Sequence, residues 1–87
     1  MAGTPFDLKA NWNASNTYVA SGETPVNISN TDYPIVRWTV TAGIGTAPSF
    51  GVNQGSAIGP HGNKEITLAD GECLWLAGAG AAATLEV

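Results

Sequence analysis

Apolar and polar residues alternate in short runs along most of this chain, and turn-forming residues separate the runs at intervals of about 8 to 12 positions. A two-residue period is that of a β-strand with one buried face, and no window shows the period of an amphipathic helix. The clearest run is residues 35–41, in which aliphatic residues and Trp38 alternate with Arg37 and threonines. Residues 24–30 alternate in the same way and end at the turn Asn30-Thr31-Asp32. The pattern therefore predicts an all-β fold.

Further strand candidates bring the total to seven or eight; they are residues 6–12, 18–20, 49–53, 64–68, 73–76 and 85–87. The tight turn Ala69-Asp70-Gly71 predicts that the strands on either side of it pair as a hairpin. Residues 42–48 and 55–62 are rich in Gly and Pro, which predicts loops. A single open sheet would not bury the three Trp and two Phe residues. We therefore expect two packed sheets, as a small antiparallel β-sandwich or a jelly-roll-like barrel.

The 87 residues are enough for one domain, and no internal repeat or linker divides them. A chain of this size buries only about 60% of the surface that its unfolded form exposes, so we expect self-association or a partner to add stability. Residues 1–12 contain Pro5 and carry the weakest strand signal. Two interpretations stay open for them. They form the first strand of the sandwich, or they form an N-terminal arm whose alternate residues Phe6, Leu8 and Trp12 contact a neighbouring protein.

Charge and cysteine content limit the classes of partner. Charged residues make up 11% of the chain against about 25% in an average domain, and the formal net charge is −4, which argues against a nucleic-acid partner. No apolar stretch approaches the roughly 20 residues that span a bilayer, so we expect no membrane partner. The first residues do not resemble a signal peptide, and a single cysteine permits no internal disulfide. We therefore expect synthesis in a reducing cytoplasm, without export.

Candidate catalytic and metal-binding residues are few. His61 is the single histidine, and its Gly-Pro-His-Gly loop has no neighbouring acid or nucleophile motif from which a triad could form. Cys73 follows Glu72, and we expect this carboxylate and burial to raise the pKa of the thiol and leave it inert. One His and one Cys do not complete a four-ligand zinc site. The sequence thus predicts no enzymatic activity, no metal and no cofactor.

Three aromatic residues, Trp12, Tyr18 and Tyr33, are candidates for a binding surface. Exposed aromatic rings offer an apolar face with a polar edge, and in carbohydrate-binding sandwiches such rings stack on sugars. These residues therefore form a candidate glycan platform. The alternative is that they pack in the core or at a protein interface.

Four fragments follow one another in a recognisable order; they are residues 26–40, the GPHG loop at 59–62, ITLADGECLWL at 66–76 and ATLEV at 83–87. In this layout residues 24–87 resemble small virion surface proteins of tailed bacteriophages, either capsid decoration (cement) proteins or tail-associated β-sandwich proteins. The resemblance implies a non-enzymatic structural protein at the virion surface that binds and stabilises the assembled shell. Its implied partners are the major capsid protein or other virion proteins, and its implied assembly is a homotrimer. A tail or fibre position is the alternative within this class.

Overall fold

The computed structural model describes residues 3–87, and these residues form eight β-strands and no α-helix. The strands are β1 (Thr4–Asp7), β2 (Thr17–Val19), β3 (Thr24–Asn30), β4 (Val36–Thr41), β5 (Ser56–Ile58), β6 (Asn63–Leu68), β7 (Cys73–Ala77) and β8 (Ala82–Glu86). Two short 3₁₀ helices, Ala14–Asn16 and Val52–Gln54, lie in the loops that follow β1 and β4. The predicted all-β class is confirmed.

The strands form two antiparallel sheets of four strands each. The first sheet has the order β1-β8-β3-β6, and the second has the order β2-β7-β4-β5. Four of the pairs, β1 with β8, β2 with β7, β3 with β6 and β4 with β5, are those of one long hairpin. This hairpin is rolled up so that β3 also pairs with β8 and β4 also pairs with β7, which gives two four-stranded sheets. This strand order is that of a jelly roll, built as two stacked sheets and not as a closed barrel.

The core lies between the two sheets because the strands turn alternate side chains inward. In β3, Val26 and Ile28 are buried while Asn27 between them is only half-buried, as the alternation predicts. The most completely buried side chains of this core come from both sheets; they are Ile28, Val36, Leu68, Leu74 and Leu76. Burial of each large aliphatic side chain contributes about 1.5 to 3 kcal/mol. The contact between sheets is therefore the main source of stability.

The second sheet is covered on its other face as well. The residues of β7 that alternate with its core leucines, Cys73, Trp75 and Ala77, are buried but lie outside the core cluster. The 3₁₀ helix of the β1–β2 loop lies against β7, and that of the β4–β5 loop lies against β4. The two loops meet where the Trp12 indole N–H donates to the Phe50 carbonyl at 2.9 Å. They form a third layer over this sheet.

The structure contradicts the strand predicted at residues 49–53. The chain there enters a 3₁₀ helix at Val52, and the edge strand that pairs with the outer side of β4 is β5, which lies inside the stretch predicted as a loop. Ile58 of β5 is buried opposite Val36, whereas Phe50 stays exposed at the surface. Burial of the aliphatic side chain selects which short segment joins the sheet.

The turn at Ala69-Asp70-Gly71 is present but does not make the predicted hairpin. Gly71 has the positive φ of 83° that such a turn requires. However, β6 belongs to the first sheet and β7 to the second. Leu68 before the turn and Leu74 after it both enter the core between the sheets. The turn therefore connects the two sheets, and each strand pairs elsewhere.

The N-terminal segment is part of the sandwich. β1 pairs with β8 over its whole length. Phe6 packs against the core, and Leu8 is buried within it. β1 ends before Leu8, so the strand predicted over residues 6–12 is shorter, and the shared strand face of Phe6, Leu8 and Trp12 does not form. Trp12 lies on the β1–β2 loop. The arm predicted for residues 1–12 would require β1 to leave β8; residues 1–2 lie outside the described part of the chain.

Candidate interaction surfaces

Among residues 3–87, no group of three or more His, Cys, Asp and Glu side chains is placed to hold a metal ion. His61 is exposed on the β5–β6 loop, where its φ is 56°. Cys73 is fully buried on β7. The same part of the chain contains no helix with the length and apolarity needed to cross a membrane.

Cys73 is fully buried on β7, between β2 and β4. Burial raises the pKa of the Cys73 thiol, and a hydrogen bond with the Thr17 side chain opposes that rise. The carboxylate of Glu72, which was expected to raise this pKa too, instead accepts a hydrogen bond from the Ala69 N–H at 2.6 Å. A thiol with a raised pKa and no exposed surface stays protonated near neutral pH. Cys73 is a packing residue.

The loops at one end of the sandwich are tied together, and we call this end the loop end; it comprises residues 8–16, 31–35, 59–62 and 78–81. The Leu8 N–H donates to the Ala81 carbonyl, and the Gly78 N–H donates to the Lys9 carbonyl, both at 2.9 Å. Gly78 also lies against the next loop, because a Cβ there would be 2.6 Å from the carbonyl oxygen of Ile35. The loop end is thus a packed surface and not a set of independent loops.

Asn30 at the end of β3 joins two of these loops. Its side chain is buried, with 2% of the residue exposed. The Nδ2 group donates to the carbonyls of Pro34, Ile58 and Gly59 at 2.9, 3.1 and 3.0 Å. The Oδ1 atom accepts from the Asp32 N–H at 3.0 Å. One amide therefore fixes the β3–β4 loop against the β5–β6 loop.

Tyr33 is presented to solvent by this network. It is 73% exposed, and its N–H donates to Oδ1 of Asp32 at 2.8 Å. Its ring meets the His61 ring edge-on, with 5.0 Å between centroids. Ile35 on the same loop is 46% exposed. The loop end therefore carries an aromatic and aliphatic patch on an ordered backbone.

The other candidate glycan aromatics do not join Tyr33. Tyr18 packs against the core. Trp12 is half-buried, meets Phe50 edge-on at 6.3 Å and lies so close to Gly55 that a Cβ there would be 2.9 Å from the indole. The structure thus gives Tyr18 and Trp12 packing roles, and of the three residues only Tyr33 offers its ring to a ligand.

The first sheet turns its other face outward, and we call this surface the open face. Its side chains alternate with core residues and are Pro5, Asp7, Pro25, Asn27, Ser29, Asn63, Glu65, Thr67, Ala82, Thr84 and Glu86. They are exposed or half-buried, whereas Cys73, Trp75 and Ala77 on the corresponding face of the second sheet are buried. Most of these side chains are small and uncharged. The open face therefore allows close approach of a partner.

A depression of about 590 Å³ lies on the open face between β3, β6 and β8. Asn27 stands opposite Glu65 on β6 and opposite Glu86 on β8, so two carboxylates flank one amide across three strands. All three residues line the depression. The Oδ1 atom of Asn27 is buried and has no hydrogen-bond partner among the described residues. Ionised carboxylates only accept hydrogen bonds, so the two neighbours do not supply the missing donor.

The sequence holds part of the signal for this surface. The alternation that predicts the buried face of residues 24–30 also turns Asn27 to the opposite face. The placement of Glu65 and Glu86 beside Asn27 depends on which strands become neighbours and in what register. Neither the neighbouring strands nor their register can be predicted from the sequence of a single strand.

Comparison of this chain with models of known protein families, with curated proteins and with solved structures gives no match. One fold serves many functions, so the jelly roll alone does not assign one. A function is therefore proposed from the fold together with the surfaces described above.

Proposed function

We propose that the chain is a non-enzymatic structural protein of a bacteriophage virion, a capsid decoration protein that binds and stabilises the assembled shell. The observation that carries this proposal is the jelly-roll strand order, because viral capsid domains use that architecture. Residues 66–76 and 83–87, which resemble virion proteins, contribute the end of β6 and most of β7 and β8. β7 and β8 are inner strands of the two sheets, and β6 is an edge strand of the first sheet. The resemblance thus includes strands of both sheets.

The physical character of the chain supports a role beside neighbouring copies or shell proteins. A domain of 87 residues has a small core, and contact with a partner adds burial that folding alone does not supply. A protein that binds only the assembled shell stabilises that shell by mass action, in proportion to the logarithm of its free concentration over its Kd. Stabilisation therefore needs no chemistry beyond binding.

Purified particles of the phage that encodes the chain provide the test. Mass spectrometry of intact virions is expected to detect the chain, and absence from them would end the proposal. Its copy number per particle separates a head position from a tail position. A number close to that of the major capsid protein indicates the head, and a few copies per particle indicate the tail or a fibre. Particles lacking the chain are expected to release DNA at a lower temperature, and adding purified chain back is expected to restore the original value.

The assembly expected with this function is a homotrimer. Closed symmetric assemblies are the common form of homo-oligomers, and the resemblance to virion surface proteins implies the trimer among them. Sedimentation equilibrium at tens of micromolar is expected to give three times the 8.9 kDa mass of the chain. A single 8.9 kDa species at that concentration would contradict trimer formation in solution.

Carbohydrate binding is the second candidate function, because lectin domains also use jelly rolls and Tyr33 exposes its ring at the loop end. A glycan array tests it with the Tyr33→Ala variant, and Tyr18→Phe serves as control because Tyr18 packs against the core. Binding that disappears in Tyr33→Ala and persists in the control would support a glycan site. Absence of binding by the unaltered chain would remove this candidate.

A further inference from the structure

We propose that the open face docks on the shell, and that a lysine or arginine of the shell protein enters the depression between Glu65 and Glu86. This inference rests on the proposed function, because it names the contact surface and the chemistry of the partner that the function requires. It is carried by three observations: the distribution of charge, the unpaired acceptor at Asn27 and the absence of a covering layer over this sheet.

Charge on the open face has one sign. Asp7, Glu65 and Glu86 are three of the seven acidic residues of the chain, and all three point away from the core of the first sheet. None of the side chains that form the open face is basic; the three basic residues of the chain are Lys9, Arg37 and Lys64. Two copies of this face brought together would oppose like charges, which disfavours a second copy as the occupant. A basic surface is the complementary partner.

The Oδ1 atom of Asn27 lacks a hydrogen-bond donor, and a basic side chain would supply one. Oδ1 of Asn27 is buried without a partner, and the groups opposite it on both neighbouring strands are carboxylates. An unpaired buried acceptor is unfavourable, and satisfaction by a charged donor is among the stronger hydrogen bonds. Lysine and arginine carry several N–H groups each, so one head group can donate to Asn27 and to both glutamates. Because the Oδ1 atom of Asn27 is buried, this contact requires the side chains around it to move.

The open face is also the sheet surface that remains free. The β1–β2 and β4–β5 loops cover the second sheet, where Trp75 is 4% exposed. On the first sheet the equivalent positions hold side chains that are mostly small and uncharged and that are exposed or half-buried. A partner can therefore approach the backbone closely over four strands.

The experiment measures binding of purified chain to particles that lack it, in 50 mM and 500 mM salt. The test variant is Glu65→Gln/Glu86→Gln. The matched control is Asp32→Asn/Glu72→Gln, which removes the same two charges elsewhere and keeps an oxygen that can accept the hydrogen bonds of both residues. We expect the test variant to bind about tenfold more weakly in low salt, since interfacial charge pairs are partly desolvated, and the difference to shrink in high salt. Circular dichroism confirms folding of both variants.

A second readout identifies the partner group. Carbodiimide joins a carboxylate to an amine that lies in contact with it. Cross-linked particles are expected to yield peptides that join Glu65 or Glu86 to a lysine of the shell protein. When the basic residue of the shell protein is an arginine, no such peptide forms, and the salt-dependent loss of binding by Glu65→Gln/Glu86→Gln is then the test.

Several outcomes would overturn the inference while leaving the proposed function intact. One is equal binding by the unaltered chain and the test variant. Another is an equal loss in both double variants, which would make net charge the cause. A loss confined to the control would move the contact to other surfaces. Binding that EDTA abolishes and Ca²⁺ restores would place a cation in the depression. Absence of the chain from virions, by contrast, would end the proposed function itself.

Discussion

Replacement of Asn30 by aspartate is the sharpest test of how the loop end is held. Asn30→Asp keeps the shape of the side chain and the oxygen that accepts from the Asp32 N–H. It replaces the Nδ2 donor with a carboxylate oxygen that faces three carbonyl oxygens between 2.9 and 3.1 Å away. An amide has two N–H groups to share among those carbonyls, so at least two hydrogen bonds are lost. At about 1 to 1.5 kcal/mol each, with the cost of a buried charge added, we expect the free energy of unfolding to fall by roughly 3 to 5 kcal/mol at pH 7.

The loss of stability in Asn30→Asp depends on pH, and the burial of the side chain among carbonyl oxygens sets the direction of that dependence. Burial and the facing carbonyls favour the protonated carboxyl, so the pKa of the introduced aspartate in the folded chain lies above its value of about 3.9 in the unfolded chain. The folded variant then binds more protons than the unfolded variant between the two pKa values. Its stability relative to the unaltered protein is lowest above the folded pKa and recovers as the pH falls towards about 4. A protonated carboxyl restores one of the donated hydrogen bonds.

Urea denaturation followed by tryptophan fluorescence measures both effects between pH 4 and pH 8, at several protein concentrations so that association is accounted for. Asn11→Asp is the control, because Asn11 is exposed on the β1–β2 loop; we expect a change within about 0.5 kcal/mol there. An Asn30→Asp variant that loses less than about 1 kcal/mol at pH 7, or whose loss is the same at every pH, would refute the role assigned to the Asn30 amide.

Three more predictions test other parts of the fold. Burial raises the pKa of the Cys73 thiol, so iodoacetamide at pH 8 is expected to modify it only in urea, and rapid labelling of the folded chain would contradict this. Because the thiol of the unfolded chain ionises first, the free energy of unfolding is expected to decline as the pH rises past about 8.5. Gly78→Ala places a Cβ 2.6 Å from the Ile35 carbonyl oxygen, so we expect a loss of about 2 kcal/mol or more in thermal unfolding, against little change for Gly45→Ala, whose Cβ would meet nothing within 4 Å. Deletion of residues 1–10 removes β1 and is expected to unfold the domain by circular dichroism; a folded product that no longer binds particles would instead favour an N-terminal arm.

The sequence predicts strands best where one face is strongly apolar and flanking turns are clear. Residues 24–30 were bounded correctly as β3, and β4 begins one residue later than predicted, because alternation around Val26 and Trp38 is unambiguous. β5 was missed because its three residues carry little more than Ile58 to indicate burial. The pairing of strands on either side of Gly71 was also missed, since a tight turn specifies a change of direction and not which sheet follows it.

The candidate surfaces depend even more on contacts between distant parts of the chain. Composition does not distinguish the exposed ring of Tyr33 from the packed ring of Tyr18. Asn30 looks like a turn residue in the sequence, and its role appears only when the β5–β6 loop arrives beside it. The row formed by Glu65, Asn27 and Glu86 likewise requires three strands in register. Long-range pairing decides each of these cases.

The pairing of β1 with β8 has a consequence for how the chain folds. The first sheet holds the first and last strands side by side at its edge, so it is complete only after β8 has left the ribosome. Until then the edge of β3 that faces away from β6 is unpaired, and Phe6 and Leu8 have no finished core to enter. Chains whose contacts join distant segments fold slowly, in about milliseconds to seconds, because loop closure must precede the stabilising contacts. The nascent chain is therefore exposed to aggregation until β8 has emerged, and the emergence of β8 is the event that allows the first sheet to form.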